Sequence, residues 1–293
     1  MHLNKNLLKL HFTIFIWGFT AILGALIALP ALQLVWYRML IAFISLFLYS
    51  LIKGQHQKIS IYSILKLGGI GIIVALHWLC FFHSIKVSTI SVALVSLSST
   101  ALFTGILDPL VNKIKISLID IFVSLIIIIG IAIIFSFETN YTSGILFGLA
   151  SAFLAAVFTI LNAKEVKKIN PVTISAYEML GGFLLLTLYL FFTSGTAIFT
   201  TRIPISDLIY LFILGTICTA FAYVLGVLVM KELSPYTVIL TTNLEPVYGI
   251  LMAFFFFGDN EKMTFQFYIG AFIILLAVFS YPMLKRKLAK NVN

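Results

Sequence analysis

Four ionisable side chains lie inside long apolar stretches of the sequence: Arg38, His77, Glu178 and Glu245. A charge in the hydrocarbon core of a bilayer costs about 2.5–3.5 kcal/mol on insertion scales, so these groups are the first candidates for chemistry. At 1.5 Å per helical residue, Arg38 lies roughly 11 Å below the outer surface and Glu178 roughly 11 Å above the inner one. Glu245 and His77 lie about 16–18 Å deep, near the middle.

Arg38 carries a planar guanidinium, which binds carboxylate and phosphate groups in a bidentate manner. One interpretation is therefore a substrate clamp that faces a central cavity. The alternatives are structural: an ion pair with Glu178 or Glu245, or a side chain that extends to the outer lipid headgroups.

Glu245 precedes Pro246, which lacks the N–H that would bond the carbonyl of Thr242 and should therefore kink the helix. Such a kink exposes backbone oxygens together with Thr242, Asn243 and Glu245. We interpret Glu245 as a group that binds a substrate amine or couples transport to protons. The alternatives are a carboxyl group that only fixes packing, and interhelical hydrogen bonds from Thr242 and Asn243.

Glu178 lies nearer the cytoplasmic end, where a lysine of the connector 164–170 is a possible partner. An inner-gate salt bridge and a plain structural pair both fit this position. We group Tyr37 with Glu178 and Glu245 as candidates for gating or proton coupling. His77 either binds substrate and shuttles protons, or forms a hydrogen bond to a neighbouring helix.

Aromatic side chains with a polar tip are further candidates for a cavity wall. These are Trp36, Tyr37, Trp78, Tyr223 and Tyr248. Anchoring in the interfacial aromatic belt is the competing interpretation, and it applies most directly to Trp36 and Tyr37 near the outer end of their helix.

The elements that must position these groups follow from composition. The 293 residues are 61% hydrophobic and 10% charged, against about 25% charged in an ordinary globular domain. A membrane-spanning helix needs about 20 apolar residues, and the chain holds ten such stretches. This excludes a cytosolic enzyme, a secreted disulfide scaffold, a disordered tail protein and a β-barrel, and it predicts an all-α polytopic membrane protein. The ten predicted transmembrane helices lie near 8–27, 31–52, 65–83, 89–110, 117–136, 144–163, 172–193, 205–228, 235–257 and 265–284.

The basic residues predict the orientation. Of the 19 Lys and Arg, 15 fall on the side of the N-terminus and Arg38 lies within a helix, which leaves Lys86, Arg202 and Lys262 on the other side. Positive charge collects on cytoplasmic loops, so we expect an integral protein of the bacterial inner membrane with both termini in the cytoplasm. The net charge of +9 then faces anionic lipid, and we expect the lipid bilayer and a small-molecule substrate as partners, not nucleic acid.

The sequence lacks the motifs of enzymes and cofactor sites. It contains no P-loop, no HExxH and no CxxC. The two cysteines, Cys80 and Cys218, lie in apolar segments and are predicted to be core residues. We therefore expect no catalytic residue, no cofactor and no metal.

An internal repeat divides the chain into residues 1–138 and 139–293. The segments 30–40 and 171–180 both begin with Pro and end in Tyr-X-Met-Leu, which makes Arg38 equivalent to Glu178. Because each half has an odd number of helices, five, the second half enters the membrane in the opposite orientation to the first. Inverted repeats of this kind build many secondary transporters, with the substrate site near the midplane of the membrane.

The sequence resembles the EamA family of the drug/metabolite transporter superfamily. The residues that carry the resemblance are Trp17-Gly18, Arg38, the segment 234–246 and the segment 258–270. The resemblance implies ten helices, an inverted repeat and export or exchange of small metabolites, and it adds Trp17 to the candidate binding residues. Where the family usually has a Pro in helix 4 this chain has Thr100, which predicts no matching helix break in the first half.

These features predict a secondary transporter, an exporter or exchanger of amino acids or related amphipathic metabolites, that works by alternating access around a midplane cavity. A transporter of sugar nucleotides or phosphate-bearing metabolites is an alternative. A membrane enzyme, a scramblase or an assembly partner without transport is the alternative of another class. A solvated central cavity lined by Arg38 and Glu245 would distinguish the first class from the last.

Overall fold

The computed structural model describes residues 5–54, 57–113, 118–194 and 203–291, without the side chains of 118, 120, 121, 194, 278 and 281–291. Within those ranges the backbone is helical or irregular and contains no strand. Lys115 and Arg202, which entered the count of basic residues, lie outside the described residues.

Thirteen α-helices are described, together with three short helical segments of other types. The α-helices are α1 (Lys5–Leu26), α2 (Ala31–Ile52), α3 (Ile61–Val87), α4 (Ile90–Leu97), α5 (Thr100–Asn112), α6 (Leu118–Phe137), α7 (Thr142–Glu165), α8 (Pro171–Ser194), α9 (Ile205–Gly215), α10 (Ala222–Val229), α11 (Pro235–Thr242), α12 (Glu245–Phe257) and α13 (Phe265–Asn291). The short segments are 3₁₀ turns at Thr139–Tyr141 and Gly258–Glu261 and a π-helical turn at Thr216–Phe221.

Eight segments in the described part of the chain are long and apolar enough to cross a membrane. Two shorter apolar helices, Phe122–Phe137 and Phe265–Ala277, coincide with the remaining predicted stretches. Large apolar side chains cover the outside of the bundle, with Phe192 81% and Phe255 84% exposed. A surface of this kind suits lipid contact, because hydrocarbon tails carry no cost for apolar exposure.

Prolines begin several helices, as the sequence predicts. Pro30 and Pro204 directly precede α2 and α9, and Pro171 and Pro235 are the first residues of α8 and α11. The missing N–H of proline costs nothing there, because the first N–H groups of a helix have no intrahelical partner. The Ser234 side chain adds a cap by accepting a hydrogen bond from the Thr237 N–H at 3.2 Å.

Two membrane segments are broken near their middle. The break between α11 and α12 lies at Asn243 and Leu244, just before Pro246, as predicted. The other break, which comes first along the chain, separates α4 from α5, so the expectation that Thr100 in place of Pro leaves the first half unbroken was wrong. The Thr100 hydroxyl donates to the Leu97 carbonyl at 2.6 Å and the Ser98 hydroxyl to the Leu94 carbonyl at 3.3 Å. Such side-chain hydrogen bonds to the backbone compete with the regular helical ladder.

Packing is closest where glycines face one another. Helix α3 packs along α7 and α8, while α6 packs along α13. At the α3–α8 contact, a Cβ on Gly71 would collide with the Glu178 backbone, and a Cβ on Gly181 would collide with the Gly68 backbone. These contacts fix the position of the Glu178 backbone along the axis of α3.

Candidate functional site

One buried cavity lies between the broken helices and their neighbours. It contains about 920 Å³ of space between atoms, including its open end, and is lined by residues of α1–α5, α7 and α10–α12. Eight of the candidate residues line it: Trp17, Arg38, His77, Trp78, Tyr223, Thr242, Asn243 and Glu245.

Arg38 lies in this cavity wall, 2% exposed. Its Nε donates to the Thr219 hydroxyl at 2.6 Å, and its guanidinium carbon lies 3.8 Å from the centre of the Trp78 ring. The Nη1 atom is buried and has no hydrogen-bond partner. No carboxylate of the described residues lies within 4.0 Å, so neither the ion pair with Glu178 or Glu245 nor the extension to the headgroups is observed.

The position of Arg38 depends on the π-helical turn in the segment formed by α9 and α10. Within that turn the Thr219 hydroxyl donates to the Leu214 carbonyl at 2.6 Å and accepts from Arg38. Turns of this type are frequent at functional sites because they displace a side chain from the regular helical register. Thr219 was not among the sequence candidates, since a π-helical turn has no clear sequence signature.

Glu245 begins α12 in the second helix break and is 6% exposed. It forms no ion pair within 4.0 Å, judged over the ranges that the structure covers. Thr242 and Asn243 bond the carbonyls of their own helix, Val238 at 2.9 Å and Ile239 at 3.1 Å, so interhelical hydrogen bonds are not their role in this conformation. The break therefore presents a carboxyl group without a direct ion-pair partner to the same cavity as Arg38.

Glu178 lies behind the cavity wall and not in it. Its Oε2 accepts from the Tyr223 hydroxyl at 2.7 Å and from the Asn162 amide at 3.4 Å. No lysine of the connector pairs with it: Lys164 donates to the Val111 carbonyl at 3.2 Å, and Lys167 donates to the Lys231 carbonyl. The predicted pair was wrong because those lysines bond backbone carbonyls at the end of the bundle, whereas Glu178 turns inward.

His77 is held by α7. Its Nδ1 lies 2.8 Å from the Ser151 hydroxyl and 2.9 Å from the Ser151 carbonyl, so the expected bond to a neighbouring helix is present. The ring also packs 5.2 Å from Phe158, another cavity residue. His77 therefore forms part of the cavity wall, and its hydrogen bonds to Ser151 of α7 hold the ring in place.

Tyr37 and Tyr248 do not line the cavity. Tyr37 packs edge-to-face on Trp36 at 4.7 Å, and Tyr248 packs on Phe15 of α1 at 5.7 Å. Both rings fill spaces between helices, as aromatic side chains commonly do where helices pack against one another.

Several polar residues of the site were missed by the sequence reasoning. Ser98 and Thr100, at the first helix break, line the cavity, as does Asn162 of α7. An amide within an apolar helix is a usable signal, because polar side chains inside membrane segments are expensive. No cluster of metal-ligating side chains is found in the described part of the chain.

The two ends of the cavity differ. Met230 lines this cavity and also a second one near the surface, which holds about 620 Å³ and is bordered by Lys164, Lys167 and Glu232. At the opposite end, the Glu261 carboxylate accepts from the backbone N–H groups of Ile90 and Ser91 at 3.0 and 2.9 Å. Met230 is thus shared by the cavity and the surface pocket at the Lys164 end, while hydrogen bonds join α4 to the Gly258–Glu261 turn at the Glu261 end.

A polytopic bundle of apolar helices around a cavity with charged walls defines an integral membrane protein of the transporter type. The model of the EamA-like transporter family matches residues 7–136 and 142–281, so the chain belongs to this family.

Two relatives and one solved structure are also similar to this chain. Two proteins of Archaeoglobus fulgidus, each described as an uncharacterized transporter, are similar to this chain. One is 27% identical over 94% of this chain and 96% of its own length, and the other is 27% identical over 68% and 69%. A solved crystal structure aligns over 96% of this chain and 99% of its own with a TM-score of 0.70 and 15% identity, which shows a shared fold.

Proposed function

We propose that this protein is a secondary transporter that binds zwitterionic amphipathic metabolites, such as amino acids, between Arg38 and Glu245. The observation that carries the proposal is that both charged groups line one cavity and neither has an ion-pair partner within 4.0 Å among the described residues. A buried charge without a partner is costly. A substrate that brings a carboxylate to Arg38 and an ammonium to Glu245 supplies both missing partners.

The other walls favour a substrate with an apolar body. Trp17, Trp78, Phe81 and Phe158 present aromatic surface to the cavity. An aromatic wall with a few well-placed polar groups is the usual composition of a small-molecule site. A phosphate-bearing metabolite fits less well, because Arg38 is the only lysine or arginine in the lining and Glu245 would repel phosphate.

We propose ten transmembrane helices arranged as two inverted halves, 1–138 and 139–293. Packing supports this: α7 contacts α3, α4 and α5, and α1 makes the corresponding contacts with α10, α11 and α12. Gly130 and Gly270 also behave alike. A Cβ on Gly130 would lie 2.6 Å from Ile274, and a Cβ on Gly270 would lie 2.6 Å from Ile134. The two separate matches to the family model are further support.

Alternating access is the mechanism that this arrangement supports. With the 15 basic residues on the cytoplasmic side of a bacterial inner membrane, both termini are cytoplasmic and the Lys164 end faces inward. In this orientation the hydrogen bonds of Glu261 lie at the outer end, and Met230 lies between the cavity and the pocket on the cytoplasmic side. Loading from this side fits an exporter or an exchanger.

The test is counterflow of labelled L-phenylalanine in proteoliposomes preloaded with unlabelled substrate. We expect transient accumulation with the wild-type protein and none with Arg38→Gln or Glu245→Gln. Lys262→Gln and Asp259→Asn are matched controls, since these exposed groups pair with each other outside the cavity. Wild-type counterflow that persists in both cavity variants would reject the site. Absence of counterflow in the wild type for every amino acid would reject the substrate class.

A further inference from the structure

Glu178 is a buried acid whose surroundings leave it short of hydrogen-bond donors. Its side chain is 0% exposed, and its Oε1 has no hydrogen-bond partner. The adjacent Asn162 is also 0% exposed, and its Oδ1 likewise lacks a donor. An ionised carboxylate needs donors on both oxygens, whereas a carboxylic acid supplies one of its own.

No cation of the described side chains forms an ion pair with this group. Helix α10 contributes only the Tyr223 hydroxyl, and α3 contributes the backbone at Gly71. Helix α7 contributes Asn162 and, one turn further, Glu165, whose carboxylate is occupied by Lys66 at 2.5 Å.

Helix α2 carries the nearest arginine, but Arg38 bonds Thr219 and forms no ion pair with Glu178. The neutral form is the more stable form of a buried carboxyl group that has no counter-charge. Among the described neighbours, then, nothing but a proton is available to compensate Glu178.

A short path connects this acid to the substrate cavity. Tyr223 and Asn162 both line the cavity, and both bond Glu178. Thr219, which holds Arg38, is one helical turn before Tyr223, so both lie on the same face of this membrane segment. This membrane segment therefore contacts Glu178 through Tyr223 and Arg38 through Thr219, although Glu178 and Arg38 form no ion pair with each other.

We propose that Glu178 is the proton-binding site of this transporter, and that it exchanges its proton with cavity water through the Tyr223 hydroxyl. A hydronium ion in the cavity gives a proton to the Tyr223 oxygen while the Tyr223 proton passes to Glu178 Oε2. The net change is carboxylate plus hydronium to carboxylic acid plus water. Coupling of this proton to substrate movement rests on the transport function proposed above, whereas proton binding itself does not.

Infrared spectroscopy of the purified full-length protein tests proton binding without any substrate. Protonated carboxyl groups give a C=O stretching band that carboxylates lack. We expect this band in the wild-type spectrum at neutral pH, a loss of intensity in Glu178→Gln, and a frequency shift in Tyr223→Phe, which removes the hydrogen bond to Oε2. The matched control is Glu165→Gln, whose carboxylate has a lysine partner, and its spectrum should match the wild type in this region. An unchanged band in Glu178→Gln would overturn the proposal even if transport is confirmed.

A flux measurement tests the coupling. In proteoliposomes, an imposed pH gradient should change the uptake of labelled L-phenylalanine by the wild type and by Glu165→Gln. In Glu178→Gln, uptake should be the same with and without the gradient. A full response to the gradient in Glu178→Gln would overturn the role of this residue. A wild type that transports but ignores the gradient would overturn coupling, and a wild type that does not transport would reject the proposed function and leave the infrared result to decide proton binding.

Discussion

Replacement of Arg38 by glutamine should weaken substrate binding without unfolding the protein. The change removes the cation that lies 3.8 Å from the Trp78 ring and donates to Thr219. Since Arg38 forms no ion pair within 4.0 Å with a carboxylate of the described residues, the substitution breaks no direct ion pair. The fold should therefore survive, which size-exclusion chromatography and thermal unfolding can verify.

The size of the effect follows from the one contact that is lost. A hydrogen bond to a charged group contributes about 1.5–3 kcal/mol. At 1.4 kcal/mol per factor of ten, the dissociation constant for L-phenylalanine should rise about 10- to 150-fold. Scintillation proximity binding to the detergent-solubilised protein measures this constant directly, with Lys262→Gln as the control for the loss of a cation.

Two substrate analogues make the measurement specific for the carboxylate. Phenethylamine lacks the carboxylate, so wild type and Arg38→Gln should bind it equally. Conversely, 3-phenylpropionate lacks the amine, and its binding should weaken in Arg38→Gln but not in Glu245→Gln. Equal loss of both analogues in Arg38→Gln would refute the reasoning, because it would mean that the substitution deforms the cavity and that Arg38 does not bind the carboxylate.

Three further substitutions test the architecture around the site. Gly71→Val should destabilise the protein by about 1–3 kcal/mol in thermal unfolding, because the valine side chain would collide with the Glu178 backbone. Gly69→Ala is the control and should have little effect, since no atom of a neighbouring helix lies within 4 Å of a Cβ at that position. Thr219→Val keeps the shape but removes the acceptor of Arg38, so binding of L-phenylalanine should weaken while phenethylamine binding stays unchanged. Glu261→Ala removes the carboxylate that, in the proposed orientation, closes the outer end of the cavity. A cysteine placed at Thr20 in a background without native cysteines should then react faster with an impermeant thiol reagent from outside. An unchanged reaction rate would contradict the closing role of Glu261.

Much of the helical architecture is predictable from the sequence, because the apolar stretches and the prolines act locally. Pro171 and Pro235 begin helices, and Pro246 follows a break, as their covalent structure requires. The break at Thr100 was not predictable in the same way. It depends on hydroxyl groups that bond their own backbone, and the same residue types are compatible with an unbroken helix elsewhere.

The charged residues of the cavity were predictable from the sequence, but their partners were not. Residues Arg38 and Glu245 stand out because ionisable groups are rare in apolar helices, and both line the cavity. Their partners depend on contacts between distant segments. Thr219 is 181 positions from Arg38 and reaches it through a π-helical turn. The inward direction of Glu178 depends on the close approach of α3 at Gly71.

The claim that Arg38 and Glu245 bind one zwitterionic substrate is tested most directly by an experimental structure of the protein with L-phenylalanine. The account predicts the substrate carboxylate within hydrogen-bond distance of the Arg38 guanidinium and the ammonium group facing Glu245, with the ring among the aromatic residues of the cavity. Substrate density outside this cavity, or inside it with neither charged group in contact, would contradict the account.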